Sequence, residues 1–240
     1  MTQFNLSKKL IVLDIISLTA VGIALLLVFF YAPYELTMGA VQKVFYFHVS
    51  MGWVGMLGFL AAAVCSGIYL WVSRRGDAEI WDRAALAGVE IGLVFMALCI
   101  ASGSIWARPI WNTWWTWDPR LTTAAVMELI YAAYLLLRQG IEESSRQARF
   151  GAVYALVGFI SVPLTFVSIR VFRTIHPVLI GSGDPSAQAM NMTGPMVFTF
   201  IFCLGAFSLA FVDLFWRRVR LANLAGRVEE LEVEASERNS

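Results

Sequence analysis

Apolar residues in this chain come in six long runs, at about 10–31, 44–72, 84–105, 121–137, 150–171 and 195–216, and polar residues gather in the gaps between them. A bilayer-spanning helix needs about 20 predominantly apolar residues. All six runs approach or exceed that length, so the pattern predicts an all-α, polytopic membrane protein with six transmembrane helices. The first run follows Lys8 and Lys9 and leads into Pro33-Tyr34-Glu35 rather than a small-residue cleavage site, so it reads as a retained helix. The fourth run is the shortest. Pro163 should kink the fifth helix, because its ring displaces a helical hydrogen bond.

Boundary residues sharpen the picture. Asp118 before Pro119 is an N-cap followed by proline at the first helical position, which starts the fourth helix there. Gly181-Ser182-Gly183-Asp184-Pro185, after His176-Pro177, reads as an irregular loop. Beyond Trp216 the chain turns basic and then glutamate-rich, with Leu221, Leu224, Val228 and Leu231 at helical spacing. This divides the chain into a transmembrane domain, 1–220, and a cytoplasmic C-terminal tail, 221–240, in which a short helix serves a partner contact or stands as a solvated end.

Composition agrees with the pattern: 59% of residues are hydrophobic and 15% charged. A net charge of +1 points to neither nucleic acid nor an acidic substrate. The distribution of charge is more informative. Thirteen of the 18 Lys and Arg fall on the side of the two termini, and five, Lys43, Arg108, Arg120, Arg170 and Arg173, fall on the other. The positive-inside rule then places both termini in the cytoplasm. Cys65, Cys99 and Cys203 stand singly in apolar runs, as packing residues do, and no Cys-x-x-Cys-His haem-attachment motif is present.

On the extracytoplasmic side, the segment 106–122 holds five of the nine tryptophans: Trp106, Trp111, Trp114, Trp115 and Trp117. Indoles are rigid apolar faces with one N–H donor, suited to a membrane interface or to a flat, mostly apolar ligand. Anchoring needs one or two aromatics per helix end, and five beside Arg108, Asp118 and Arg120 exceed that. The chain's two histidines, His48 and His176, fall on the same side. Two neutral imidazoles, an aromatic face and several arginines suit a haem, with axial ligands for iron, a surface for the porphyrin and cations for propionates. The same residues also suit purely structural roles at a wet boundary. Four acids lie in or near the apolar runs. Asp14 and Asp213 are near enough to the cytoplasmic ends to reach water, Lys9 or Arg217, whereas Glu90 and Glu128 read as protonated and hydrogen-bonded between helices.

The run Pro109-Ile110-Trp111-x-x-Trp114-Trp115-x-Trp117-Asp118-Pro119-Arg120-Leu121-Thr122 resembles the tryptophan-rich WWD signature of the haem-handling family of cytochrome c biogenesis. Lys43 to Val49, around His48, and Arg173 to Pro177, around His176, resemble that family's two external histidine segments. Six helices in about this length resemble its protein C branch. The resemblance implies a non-enzymatic protein of the bacterial inner membrane that binds b-type haem transiently and without covalent attachment. His48 and His176 match the axial ligands, and Trp106, Arg108, Trp111, Trp114, Trp115, Trp117, Asp118, Arg120 and Arg173 match the haem-contacting segment. It implies transfer of haem to a chaperone, protein E, alongside a small membrane protein D and ABC-transporter subunits A and B. Members often have Gly where this chain has Asn112, which bears on a close backbone approach, and Pro where it has Ser50, which bears on the turn positioning His48. A membrane b-type cytochrome, a haem lyase and a haem transporter are the competing readings. Ligands deep in the bundle would mark the first, and more helices and histidines the second.

Overall fold

The computed structural model describes residues 2–73, 78–177 and 192–239. Among these residues seven α-helices form, α1 (Thr2–Leu26), α2 (Lys43–Val72), α3 (Glu79–Trp111), α4 (Pro119–Gln139), α5 (Ser144–Phe159), α6 (Ser161–Val171) and α7 (Gly194–Asn239), with a π-helical turn at Leu27–Tyr31 and a 3₁₀ turn at Ala40–Gln42. No strand forms among the described residues. α5 and α6 together make one crossing, so the six apolar runs become six spans. Leu18, Leu129, Leu136 and Val157 stand 64–73% exposed on the outside. Such an apolar surface belongs in lipid.

Pro163 does more than kink the fifth span. It has no N–H to give the Phe159 carbonyl, and α5 ends there. Ile160 closes the turn with a tighter bond to the Val157 carbonyl at 3.2 Å, after which α6 resumes. The loop expected at 181–185 lies outside the described residues.

α2 and α3 form the central hairpin, and glycine makes their contact possible. A Cβ on Gly58 would lie 2.6 Å from the Gly88 carbonyl oxygen, and one on Gly88 would lie 2.7 Å from that of Gly58. Gly55 and Gly92 continue the contact. With lipid as the competing solvent, close backbone approach of this kind is what holds helices together. Phe59, just beyond this seam, stacks on Tyr131 of α4 at 3.7 Å between centroids. Met96, Met127, Ala155 and Val162 complete a buried cluster that joins α2 through α6. On the other side, Ala24 and Val28 pack with Phe45, Tyr46, Cys203 and Ala206 and bind α1 and α7 to α2.

Charges lock the end of the bundle that carries the termini. The Arg138 guanidinium donates to both Asp82 carboxylate oxygens, at 2.5 and 2.8 Å. Arg217 pairs with both Asp14 and Asp213. Glu90 is ion-paired with Arg218 at 2.6 Å, so a cation from α7 meets it in place of the expected protonated, hydrogen-bonded carboxyl. The tail departs from expectation as well: α7 runs unbroken to Asn239, and 221–239 is its continuation rather than a separate short helix.

Replacing Gly58 by Val forces a side chain against backbone that cannot yield. Overpacking typically costs about 1–3 kcal/mol, and a clash with a carbonyl belongs at the upper end. Gly58→Val should lower the melting temperature in detergent clearly more than Gly67→Ala, whose added Cβ would meet only Leu156 Cδ2 at 4.0 Å. Equal melting temperatures would contradict the tight seam.

Candidate functional site

The glycine seam brings the second turn of α2 against the last third of α3, and this sets His48. Its Nδ1 donates to the Cys99 carbonyl at 2.9 Å. Gly103 leaves the space the ring occupies, since a Cβ there would be 2.8 Å from His48 Cε1. Ser50 lies within α2, so the helix and not a turn positions His48.

α3 continues through the first part of the tryptophan segment, which the apolar pattern left outside the helix. Pro109 sits in its last turn, and Trp106 and Trp111 are therefore helical, edge-to-face at 5.1 Å. The helix stops at Asn112, whose φ of 55° lies in the left-handed region. Asparagine is among the few residues other than glycine that tolerate that conformation. The Arg108 guanidinium donates to the Asn112 carbonyl at 2.8 Å and to its Oδ1 at 2.5 Å, closing the helix end.

Asp118 caps α4 as expected, accepting from the Arg120 N–H at 2.9 Å. The same buried carboxylate also accepts from Thr174 Oγ1 at 2.7 Å and from the Ile175 N–H at 2.9 Å. It thereby ties the segment carrying His176 to the start of α4. The His176 N–H donates to Thr174 Oγ1 at 3.0 Å, and its Nδ1 donates to the Pro177 carbonyl at 3.0 Å.

The two imidazoles end 6.3 Å apart, centroid to centroid, with 40° between planes. Each uses Nδ1–H on a backbone carbonyl, so each is the tautomer whose Nε2 carries a free lone pair. Burial, Arg120 and His48 together push His176 down to about 4, so it is neutral at pH 7, as a metal ligand must be. Metal–imidazole bonds are about 2 Å long, so two rings on opposite sides of one ion stand roughly 6 Å apart. Among the described residues no group of three or more His, Cys, Asp or Glu could hold a bare ion. Two imidazoles suit a metal whose other positions arrive already filled.

Both rings line a cavity of about 660 Å³, within the range of about 300–1,000 Å³ typical of small-molecule sites. Trp106, Trp111 and Trp115 line it together with Trp53 of α2, which the sequence did not single out; Met56, Met96 and Met127 belong to its lining as well, and Arg120 and Arg170 are its cations. The Arg120 guanidinium is fixed by a 2.7 Å bond to the Thr165 carbonyl and lies over the Phe166 ring. The other expected residues stay outside. Trp114 and Trp117 are 58% and 79% exposed, although Trp117 buttresses Trp115 edge-on at 5.8 Å. Arg108 caps α3, Asp118 holds the His176 strap, and Arg173 is exposed. Arg170, the Cys99 carbonyl and Gly103 belong to the site but carried no motif.

The fold and site define a polytopic helical membrane protein with a tryptophan-lined cavity and two imidazoles at one end. A family described as Heme exporter protein C matches residues 2–234. The Heme exporter protein C of Bradyrhizobium diazoefficiens is 32% identical over 204 residues, covering 84% of this chain and 74% of the relative. That of Rhodobacter capsulatus is 30% identical over 206 residues, covering 85% and 82%, and that of Escherichia coli K12 is 29% identical over 150 residues, covering 62% and 59%. The chain belongs to the Heme exporter protein C family, and with its six apolar helices it is an integral protein of the inner membrane.

The Asp118 strap can be tested without any ligand. A hydrogen bond to a charged group contributes about 1.5–3 kcal/mol, and tenfold corresponds to about 1.4 kcal/mol. Asp118→Ala should accelerate amide exchange at Ile175 by roughly tenfold to a hundredfold while leaving α2 and α3 unchanged. Unaltered exchange at Ile175 would mean that other contacts hold the strap.

Proposed function

We propose that this chain binds haem non-covalently at the tryptophan end of its bundle and presents it to a haem chaperone of cytochrome c maturation, protein E, with no turnover of its own. The observation that carries this reading is the imidazole pair, 6.3 Å apart with both Nδ1 atoms already bonded, at a cavity lined by four indoles. His48 and His176 ligate iron through Nε2 from opposite sides, and the indoles cover the apolar macrocycle. Arg120 and Arg170 supply positive charge inside the cavity, and Arg108 and Arg173 supply it at the exposed rim, where propionates need it. Protein D and the ABC-transporter subunits A and B are the assembly in which this delivery takes place.

The two ligands are held differently, and release follows from that. His48 is built into a helix pinned by the seam. His176 rides on a short strap that two hydrogen bonds, from Thr174 Oγ1 and the Ile175 N–H, tie to Asp118. Movement of the strap withdraws one ligand while His48 and the tryptophan wall keep their hold, so haem leaves toward the chaperone without crossing the apolar core. A b-type cytochrome needs the opposite, two ligands equally fixed within the bundle. The one-helix, one-strap arrangement favours delivery.

His48→Ala and His176→Ala should each abolish downstream cytochrome c maturation, while single variants keep part of their haem through the cavity walls. Free imidazole should restore a low-spin spectrum. Gly103→Ala, which pushes on the His48 ring, should reduce the low-spin fraction without removing any ligand. Survival of the low-spin spectrum in the double histidine variant would place the ligands elsewhere and sink the assignment.

The thirteen-to-five distribution of Lys and Arg supports termini in the cytoplasm and a haem site outside it. An impermeant thiol reagent added to intact cells should therefore label a cysteine placed at Asn112 or Ser182 and spare one placed at Ser144. Labelling at Ser144 alone would invert the topology.

A further inference from the structure

The final five turns of α7 carry a stripe of exposed apolar residues that the haem reading does not use. Leu221, Leu224, Val228 and Leu231 are 62, 50, 54 and 63% exposed. Their spacing of three, four and three is that of alternating a and d positions in a heptad. The stripe continues the face of α7 that packs with α1 through Cys203 and Ala206 and from which Arg217 reaches Asp14. The opposite face is already occupied: Arg83 of α3 donates to Asn223 at 3.2 Å, and Gly226 leaves the space its guanidinium needs. The extension is therefore two-faced, with one side fixed to its own bundle and the heptad side turned away from it.

We propose that this stripe pairs with the same stripe of a second copy of the chain, as a short parallel two-stranded coiled coil beyond the membrane. Three features select that occupant. Two copies in one membrane share a topology, and their spanning helices hold α7 at one depth, so the extensions are parallel and in register without any further device. Val228 at a with Leu224 and Leu231 at d is the combination that favours two strands over three or four. Arg227 occupies a g position and Glu232 the following e position, so in a parallel pair each Arg227 faces the Glu232 of the other copy. Both residues are exposed, and neither makes an ion pair within the chain among the described residues. An isolated segment this short would not form a helix by itself. Here nucleation is already met by the spanning part of α7, and only propagation and pairing remain.

Cysteines at Val228 and Glu229 separate pairing from collision, because in the paired arrangement only the first lies on the seam, at a spacing a disulfide can bridge. With the full chain in its native membrane under mild oxidation, Val228→Cys should give a covalent species of twice the chain mass, and Glu229→Cys and the unaltered chain should not. Arg227→Glu should reduce that yield severalfold in the Val228→Cys background. Co-expression of Arg227→Glu chains with Glu232→Arg chains should recover it, since each charge then meets its complement across the pair. These charge changes lie on the surface and leave the fold intact. Equal yields at 228 and 229, a chain that stays monomeric, or cross-linking only to a protein of different mass would each overturn the proposal.

Discussion

Everything at the tryptophan end depends on how closely α2 and α3 approach. In lipid, apolar side chains gain little by leaving their surroundings, so association rests on packing and on the few polar contacts that satisfy one another. The Gly58–Gly88 contact sets the distance between the two helices, and that distance decides whether the His48 ring, two to three turns further along α2, meets the Cys99 carbonyl and the gap at Gly103. A wider separation would leave Nδ1 without its acceptor and the tautomer unspecified. The seam is remote from the cavity mouth, yet it sets the chemistry of one ligand.

The second ligand is placed by a different kind of force. Asp118 is a helix cap, a role many residues play for about 1 kcal/mol, but here one buried carboxylate serves the cap and a distant strap together. Its three donors come from Arg120, Thr174 and Ile175. A charge this buried needs such company, and the strap supplies it. Asp118 therefore joins the start of α4 to the His176 segment through hydrogen bonds from both. The opposite end of the bundle follows the same rule with cations: Arg138, Arg217 and Arg218 each find carboxylates on other helices.

How much of this was legible from residue order follows from the range of the forces involved. The bilayer acts on every residue of a run, so six spans and the Asp118-Pro119 start of α4 could be read directly. The Pro163 break was readable because proline removes a local hydrogen bond. α3 was harder to bound: its apolar run fades at Ile105 and Pro109 looks like a terminator, yet a proline in the last turn costs one bond and the left-handed Asn112 makes the actual stop. The change from apolar to charged residues after Trp216 marks a change of solvent, not of backbone, so α7 continues where a boundary was expected. Contacts across long separations left no local mark. Asp118 to Thr174, His48 to Cys99 and the space at Gly103 are products of the packed bundle, and no spacing in the chain announces them.

The unequal anchoring of the histidines connects these points to function. A site that had only to hold its ligand would fix both rings equally, for each additional degree of freedom weakens retention. A site that must also surrender its ligand needs one contact with a lower barrier, and that contact has to lie where its motion disturbs least. The His176 strap meets both conditions: it lies outside the spans, it takes its ties from the loop-proximal start of α4, and none of the glycine seam passes through it. Local opening of such a segment draws on a few hydrogen bonds rather than on the global stability of the bundle. On the delivery reading proposed above, the seam serves retention and the strap serves release, because no hydrogen bond of the strap to Asp118 depends on the α2–α3 contact.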